Sequence, residues 1–197
     1  MTATQIVTVP AAEPISTAEA KSHLRVEHAD DNTLIDSLVV AARQKVEHDT
    51  WRALVTQTWD YFLDAFPVSA GSPIVVPRAP LASVTTVKYT DADGSTVTTL
   101  NAANYYVDTA SEPGRIQLQD GEVWPADELR PANGVEVRFV AGYGAAGDVP
   151  QALKQLIYLL VGHWYENREA SISEVSITDV PLAYWALMWQ YRGWAVR

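Results

Sequence analysis

The run Gly142-Tyr143-Gly144-Ala145-Ala146-Gly147 has the G-x-G-x-x-G spacing with which a backbone approaches a pyrophosphate at the start of a helix. It follows an alternating apolar segment and precedes a helical one, the setting that the motif requires. Two features argue for a simple exit turn instead. Gly147 falls ahead of the expected helix start, whereas the third glycine of a dinucleotide fingerprint packs inside the helix. The preceding segments also read as hairpins, and too little chain follows to complete a parallel sheet. Asp91-Ala92-Asp93-Gly94-Ser95 opens like a calcium loop, yet the bidentate carboxylate needed at its twelfth position falls on Ala102. A hairpin turn, with Gly94 taking positive φ, is the preferred reading. His163 and Glu166 stand three apart on a helix, a spacing that can share a metal, but no second His–carboxylate pair supports them. His163 reads instead as half-buried or interfacial.

Catalysis finds no constellation either. The histidines are His23, His28, His48 and His163, no serine sits in a G-x-S-x-G elbow, and there is no cysteine. Disulfides, thiol nucleophiles and cysteine-based zinc sites are thereby excluded. Nothing selects a working pair from the 24 acidic residues. These residue types assign no catalytic group, no cofactor and no metal, and the chain is expected not to be an enzyme.

The elements that must carry these residues follow from periodicity. Apolar side chains make up 48% of the 197 residues and charged ones 19%, the composition of a folded globular chain. Ser16-Thr17-Ala18-Glu19 forms a capping box that opens a short helix through about Leu24. Asp30 and Asp31 place negative charge at the start of a longer helix ending near Thr50. Its apolar face is Leu34, Ile35, Leu38, Val39, Ala42 and Val46. From Val55 the period becomes two: Trp59, Tyr61 and Leu63 alternate with Thr58, Asp60, Phe62 and Asp64. Residues 84–90 and 95–100 flank the Asp91–Gly94 turn, and residues 105–108, 115–118 and 135–141 are further short strands. Asp148 and Pro150 restart a helix with Leu153, Leu156, Ile157, Leu160, Val161 and Trp164 on its apolar face. The fold class that follows is α+β: a helical bundle from the N- and C-terminal helices, with an antiparallel β domain inserted between them. The expected boundaries are an arm at 1–14, helices at 15–54, the β domain at 55–147 and a completing helix at 148–168. A mobile loop and an aromatic segment fill 169–197.

Net charge is −10, and its distribution matters more than its size. Acidic and basic groups number eight and five in residues 1–54, eleven and five in 55–147, and five and four in 148–197. A surface this acidic in its middle repels phosphate backbones, so DNA can pass nearby without sticking. The opening MTATQIVTVPAAEP has neither a basic start nor a sustained apolar stretch and reads as no signal peptide. The longest apolar run, 156–162, is too short to span a bilayer, so no membrane partner is expected.

The last thirty-four residues hold seven aromatic side chains, four of them tryptophans. Trp164 and Tyr165 close a helix; Tyr184, Trp185, Trp189, Tyr191 and Trp194 crowd the end. Leu182, Trp185, Met188 and Trp189 fit one helical face and can be ordinary core. Tyr191, Trp194 and Arg197 lie beyond that stretch and are expected to meet a partner, because Trp and Tyr concentrate where protein binds protein. Arg192 and Arg197 add the stacking and hydrogen-bonding groups of interface anchors.

Several pieces of the chain resemble the head–tail connector, or adaptor, proteins of long-tailed bacteriophages and related prophage-like gene-transfer particles. They are ISTAEAKSHLRV (15–26), the Asp30-Asp31 helix start, LVTQTW (54–59), Pro77-Arg78-Ala79-Pro80-Leu81, YVDTASEPGRI (106–116), Ala141-Gly142-Tyr143-Gly144 before Asp148-Val149-Pro150, and HWYENRE (163–169). They run in order over about residues 15–192. The resemblance implies a structural, non-enzymatic protein of the virion head–tail junction, assembled in the bacterial host cytoplasm. It implies a homo-oligomeric ring, commonly a dodecamer, between the portal protein and a tail-side connector or stopper protein, with DNA passing through the lumen. A C-terminal segment would reach the portal, which makes Trp185, Trp189, Tyr191, Arg192, Trp194 and Arg197 the candidate partner-binding residues. The competing reading is a carbohydrate- or protein-binding β module without catalytic activity, with Trp59, Trp124 and Tyr143 as exposed rings.

Overall fold

A computed structural model describes residues 2–69, 71–167 and 182–193. Along them run β1 (Thr2–Thr8), α1 (Thr17–Leu24), α2 (Asn32–Thr50), β2 (Gln57–Leu63), β3 (Ile74–Val75), β4 (Leu81–Thr90) and β5 (Val97–Thr99). Next come β6 (Tyr105–Asp108), β7 (Arg115–Leu118), β8 (Val135–Ala141), α3 (Gln151–Glu166) and α4 (Leu182–Tyr191). The class is α+β, as the periodicity implies. The described residues among 2–11 and 56–143 form a β unit, and those among 12–55 and 144–192 form a helical unit. No described helix is long and apolar enough to cross a membrane.

In the β unit, strict alternation makes β8 the central strand. Val135, Val137, Phe139 and Ala141 are all buried, while Glu136, Arg138 and Val140 point to the opposite face. Five antiparallel strands lie in the order β1-β2-β8-β4-β5. Across β2 and β8, Trp59 faces Phe139 and Tyr61 faces Val137 on the core side, and Asp60 faces Arg138 on the other. That last pair is bidentate, Arg138 Nε and Nη2 each donating to Asp60 at 2.8 Å. A second, smaller sheet has the order β3-β7-β6. Outside the strands, Phe66 stacks on Trp124 at 5.2 Å and meets Tyr89 of β4 edge-on at 5.7 Å. Two of the connector-like pieces, 77–81 and 106–116, meet in this unit: a Cβ on Gly114 would lie 2.5 Å from that of Leu81, so only glycine admits this packing.

Residues 2–8, expected within an arm, instead form β1, paired along β2 from Thr2 opposite Leu63 to Thr8 opposite Thr58. TATQIVT carries no apolar alternation, so its strand state comes from the partner some fifty residues on and not from its own pattern.

The helical unit is built from strong local signals. Ser16 caps α1 as a capping box: its Oγ accepts from the Glu19 amide at 3.2 Å, and Glu19 accepts from the Ser16 amide at 2.7 Å. Asp31 caps α2 without a side-chain bond to the helix; its carboxylate accepts from the Tyr165 hydroxyl of α3. The α2 stripe Ile35, Val39, Ala42 and Val46 is buried, as are Leu153, Leu156, Ile157, Leu160 and Val161 of α3, which packs against it. A buried charge network ties the segment before α1 to α2. Arg43 donates to Glu13 and to Glu47, each at 2.7 Å, and Glu47 also accepts from the Leu54 amide at 2.9 Å.

Candidate partner-binding helix

Helix α4, LAYWALMWQY, has no charged residue and is apolar on every side, so its sequence permits several faces to be buried. Polar partners supplied by α2 choose one. Tyr184 and Met188, four apart, are buried, and Tyr191 one turn on is half-buried. The Tyr184 hydroxyl donates to Asp49 Oδ2 at 2.7 Å, and Lys45 Nζ donates to the same oxygen at 2.8 Å. Burial alone would raise the Asp49 carboxyl; the bonds from Lys45 and Tyr184 outweigh it and hold that group below the usual aspartate range. Burial, then Asp49 alongside, push the Tyr184 phenol far up, so it stays a neutral donor. At the other end, Arg52 Nε donates to the Tyr191 carbonyl at 2.7 Å and its guanidinium lies 5.8 Å from the Tyr191 ring. That carbonyl is one of the four that a helix C-terminus leaves without an intrahelical donor, and a cation there suits the helix dipole. Asp49 of α2, backed by Lys45, and Arg52 just beyond α2 thus clasp α4 at both ends.

The opposite face is left bare. Leu182 is almost fully exposed, Trp185 is 37% and Trp189 60% exposed, at spacings of three and four. Arg192 lies 4.6 Å from the Trp189 ring centroid, completing an outward stripe of two indoles and a guanidinium. Lys45 Nζ sits 5.9 Å from both the Tyr184 and Trp185 rings, at the seam between the two faces.

This arrangement divides the aromatic segment differently from the sequence pattern. The pattern groups Leu182, Trp185, Met188 and Trp189 on one core face and sets the boundary along the chain, near Tyr191. The division runs instead around the helix: Tyr184 and Met188 go in, Leu182, Trp185 and Trp189 stay out. Tyr191, expected as a partner anchor, has its carbonyl bonded by Arg52 and its ring beneath the same guanidinium, while Arg192 is exposed. Trp194 and Arg197, and the loop expected at 169–179, lie outside the described residues. Tyr184 is an anchor that the sequence pattern does not single out. Its signal is the spacing Tyr184–Met188–Tyr191, as good a stripe as the other, with Asp49 and Arg52 ready at the end of α2.

The other candidate sites resolve into structural fittings. Gly142 and Gly144 both have φ of 130°, and a Cβ on Gly144 would sit 2.5 Å from Asp148 Oδ2. The Ala145 amide, a donor that a phosphate would need, is taken by that carboxylate at 2.8 Å. The Asp91 and Asp93 carboxylates accept from the Thr96 and Ser95 amides, closing the β4–β5 turn on itself. No group of three or more metal-binding side chains is found among the described residues, His163 and Glu166 included. A cleft of about 550 Å³ beside α1 gathers Glu13, Glu19 and Asp36, but these bond to Arg43, Ser16 and Thr17 respectively. Two of the three rings considered for a sugar platform are covered. Trp124 is buried under Phe66 and donates to the Ser72 carbonyl at 3.1 Å, and Arg78 covers the Trp59 ring at 4.8 Å.

Among the described residues, several carboxylates serve caps, turns and ion pairs, and the outer face of α4 carries exposed indoles. The chain is similar to a component of the neck of an empty gene transfer agent particle determined with C6 symmetry. Identity there is 26% and the TM-score 0.80, covering 99% of this chain and 97% of that one. It is also similar to a component of the neck of the native particle determined with C12 symmetry, at 27% identity and TM-score 0.76 over the same shares. A chain in the virion of the native particle has the same fold, with 24% identity and TM-score 0.76 over 98% and 97%. No protein-family model and no curated protein matches the sequence. The chain is a head–tail connector-type protein with a structural role, which bears out the resemblance carried by its sequence pieces.

Proposed function

We propose that this protein forms a homo-oligomeric ring at the head–tail junction of a phage-like particle, between the portal and a tail-side connector or stopper protein, and that α4 docks it on the portal. The single observation that carries the docking is the two-faced helix: one face is clasped by Asp49, Lys45 and Arg52, and the other offers Trp185, Trp189 and Arg192 to solvent. An exposed aromatic–arginine stripe on a rigid support is the composition of an interface hot spot. Trp194 and Arg197 follow directly in sequence and extend the same set. The ring symmetry of the similar necks supports a ring here. The −10 charge of each copy supports a lumen through which DNA slides without binding.

Deleting the segment from residue 180 would remove the buried Tyr184 and Met188 along with the stripe, so loss of binding would not separate docking from folding. Trp185→Ser with Trp189→Ser leaves Tyr184, Met188 and the Asp49 and Arg52 hydrogen bonds in place. The double variant is expected to keep the parent circular dichroism spectrum and a cooperative unfolding transition, and to lose portal co-sedimentation. Full-strength portal binding by a folded double variant would refute the docking.

A further inference from the structure

The five-stranded sheet has two edges. One is β5, three residues long; the other is β1, seven residues long, with only β2 beside it among the described residues. Soluble proteins guard sheet edges with shortness, charge, proline or a bulge that turns the strand away. β5 is guarded by shortness. β1 is not: TATQIVT holds no charge and no proline, its one register irregularity falls at its end, between Ile6 and Thr8, and Ile6 and Val7 are 37% and 45% exposed.

Its occupant must tolerate a strongly acidic neighbour. Copies that each carry −10 repel over most of their surface, so contact between them is easiest where charge is absent. Residues 1–12, which contain β1, and 95–107, which contain β5, include no Asp, Glu, Lys or Arg. A closed ring joins two different patches, one from each neighbour, and β1 and β5 are two different edges of one sheet. Four antiparallel steps separate them, so they run in the same direction. A sheet continued around a ring would keep that direction. Resting on the ring proposed for this chain, we propose that β1 of one copy pairs in parallel with the β5 edge of the next, continuing the sheet across the subunit boundary.

The cysteine-free chain gives a clean test. Neighbouring strands lie about 4.8 Å apart, within the Cα separation that a disulfide spans. Gln5→Cys or Ile6→Cys, each combined with Thr98→Cys, covers both side-chain faces of β1. Oxidation of assembled rings is expected to give a ladder of covalent oligomers on denaturing electrophoresis. Either cysteine alone should give no ladder, and a mixture of the single variants should give dimers only. In parallel, Thr4→Lys with Ile6→Lys, checked by circular dichroism for an intact fold, should raise the concentration for half-assembly by about tenfold or more. Rings visible by electron microscopy with no ladder from either double variant would overturn the strand pairing and leave the ring standing. A chain that forms no ring, alone or on the portal, would overturn both.

Discussion

Replacing Tyr184 by Phe removes a single oxygen from a fully buried ring, and with it one hydrogen bond of the α4 clasp. Bonds to a charged partner contribute about 1.5–3 kcal/mol. The lower part of that range applies, because Asp49 keeps Lys45 as a donor at 2.8 Å and is not left alone by the substitution. A loss of about 1.5 kcal/mol is therefore expected in urea unfolding, with faster hydrogen exchange across 182–191. Met188→Ala on the same face, where the side chain is also buried, should cost about 2–4 kcal/mol through the cavity it leaves. Trp189→Ser on the outer face should stay within about 0.5 kcal/mol of the parent. The pH dependence has a definite sign. Asp49 is held below its ordinary value in the folded chain, so its contribution is complete above the unfolded value of about 3.9 and is lost as pH falls through the lowered folded value. The difference between parent and Tyr184→Phe should accordingly shrink in acid and hold constant between about pH 5 and about pH 8. The cycle with Asp49→Asn isolates the pair. Equal stability of Tyr184→Phe and parent, or a Trp189→Ser loss as large as that of Met188→Ala, would refute the two-faced assignment.

Two further outcomes follow from the charge networks. Arg43→Met strands Glu13 and Glu47 without their shared guanidinium and should lower stability by about 3 kcal/mol, the cost of breaking a buried pair from one side, read from chemical denaturation. Asp108, bonded by the Ser111 hydroxyl and by Arg115 and further by the Ser111 and Ala110 amides, is depressed to about 2. Its carboxyl resonance should titrate near that value, and the β6–β7 connection should loosen only as pH drops from the ordinary aspartate value through it; titration at about 4 would show the bonds are not formed in solution.

Much of the fold is legible in the sequence because it rests on local signals. The Ser16–Glu19 capping box, the ends of α2, and the strands at 105–108, 115–118 and 135–141 each depend on residues within one turn or one strand of each other. β1 is not legible, since its strand state depends on β2 and its own residues show no period. The glycine run is legible as a turn, and its chemistry is settled by one carboxylate, Asp148, filling the place a phosphate would take.

By itself, the sequence determined that this is a cysteine-free, acidic chain of α+β pattern that resembles connector proteins and carries an aromatic end that must pack against something. Which rings pack inward was decided only by tertiary structure. A helix apolar on all sides has no preferred face of its own, and the choice fell to where Asp49 of α2 and Arg52 just after it stand, more than a hundred residues earlier in the chain. Asp49 turns Tyr184 inward, Arg52 holds the Tyr191 end, and Trp185 and Trp189 are left facing out because the helix has no other side to show.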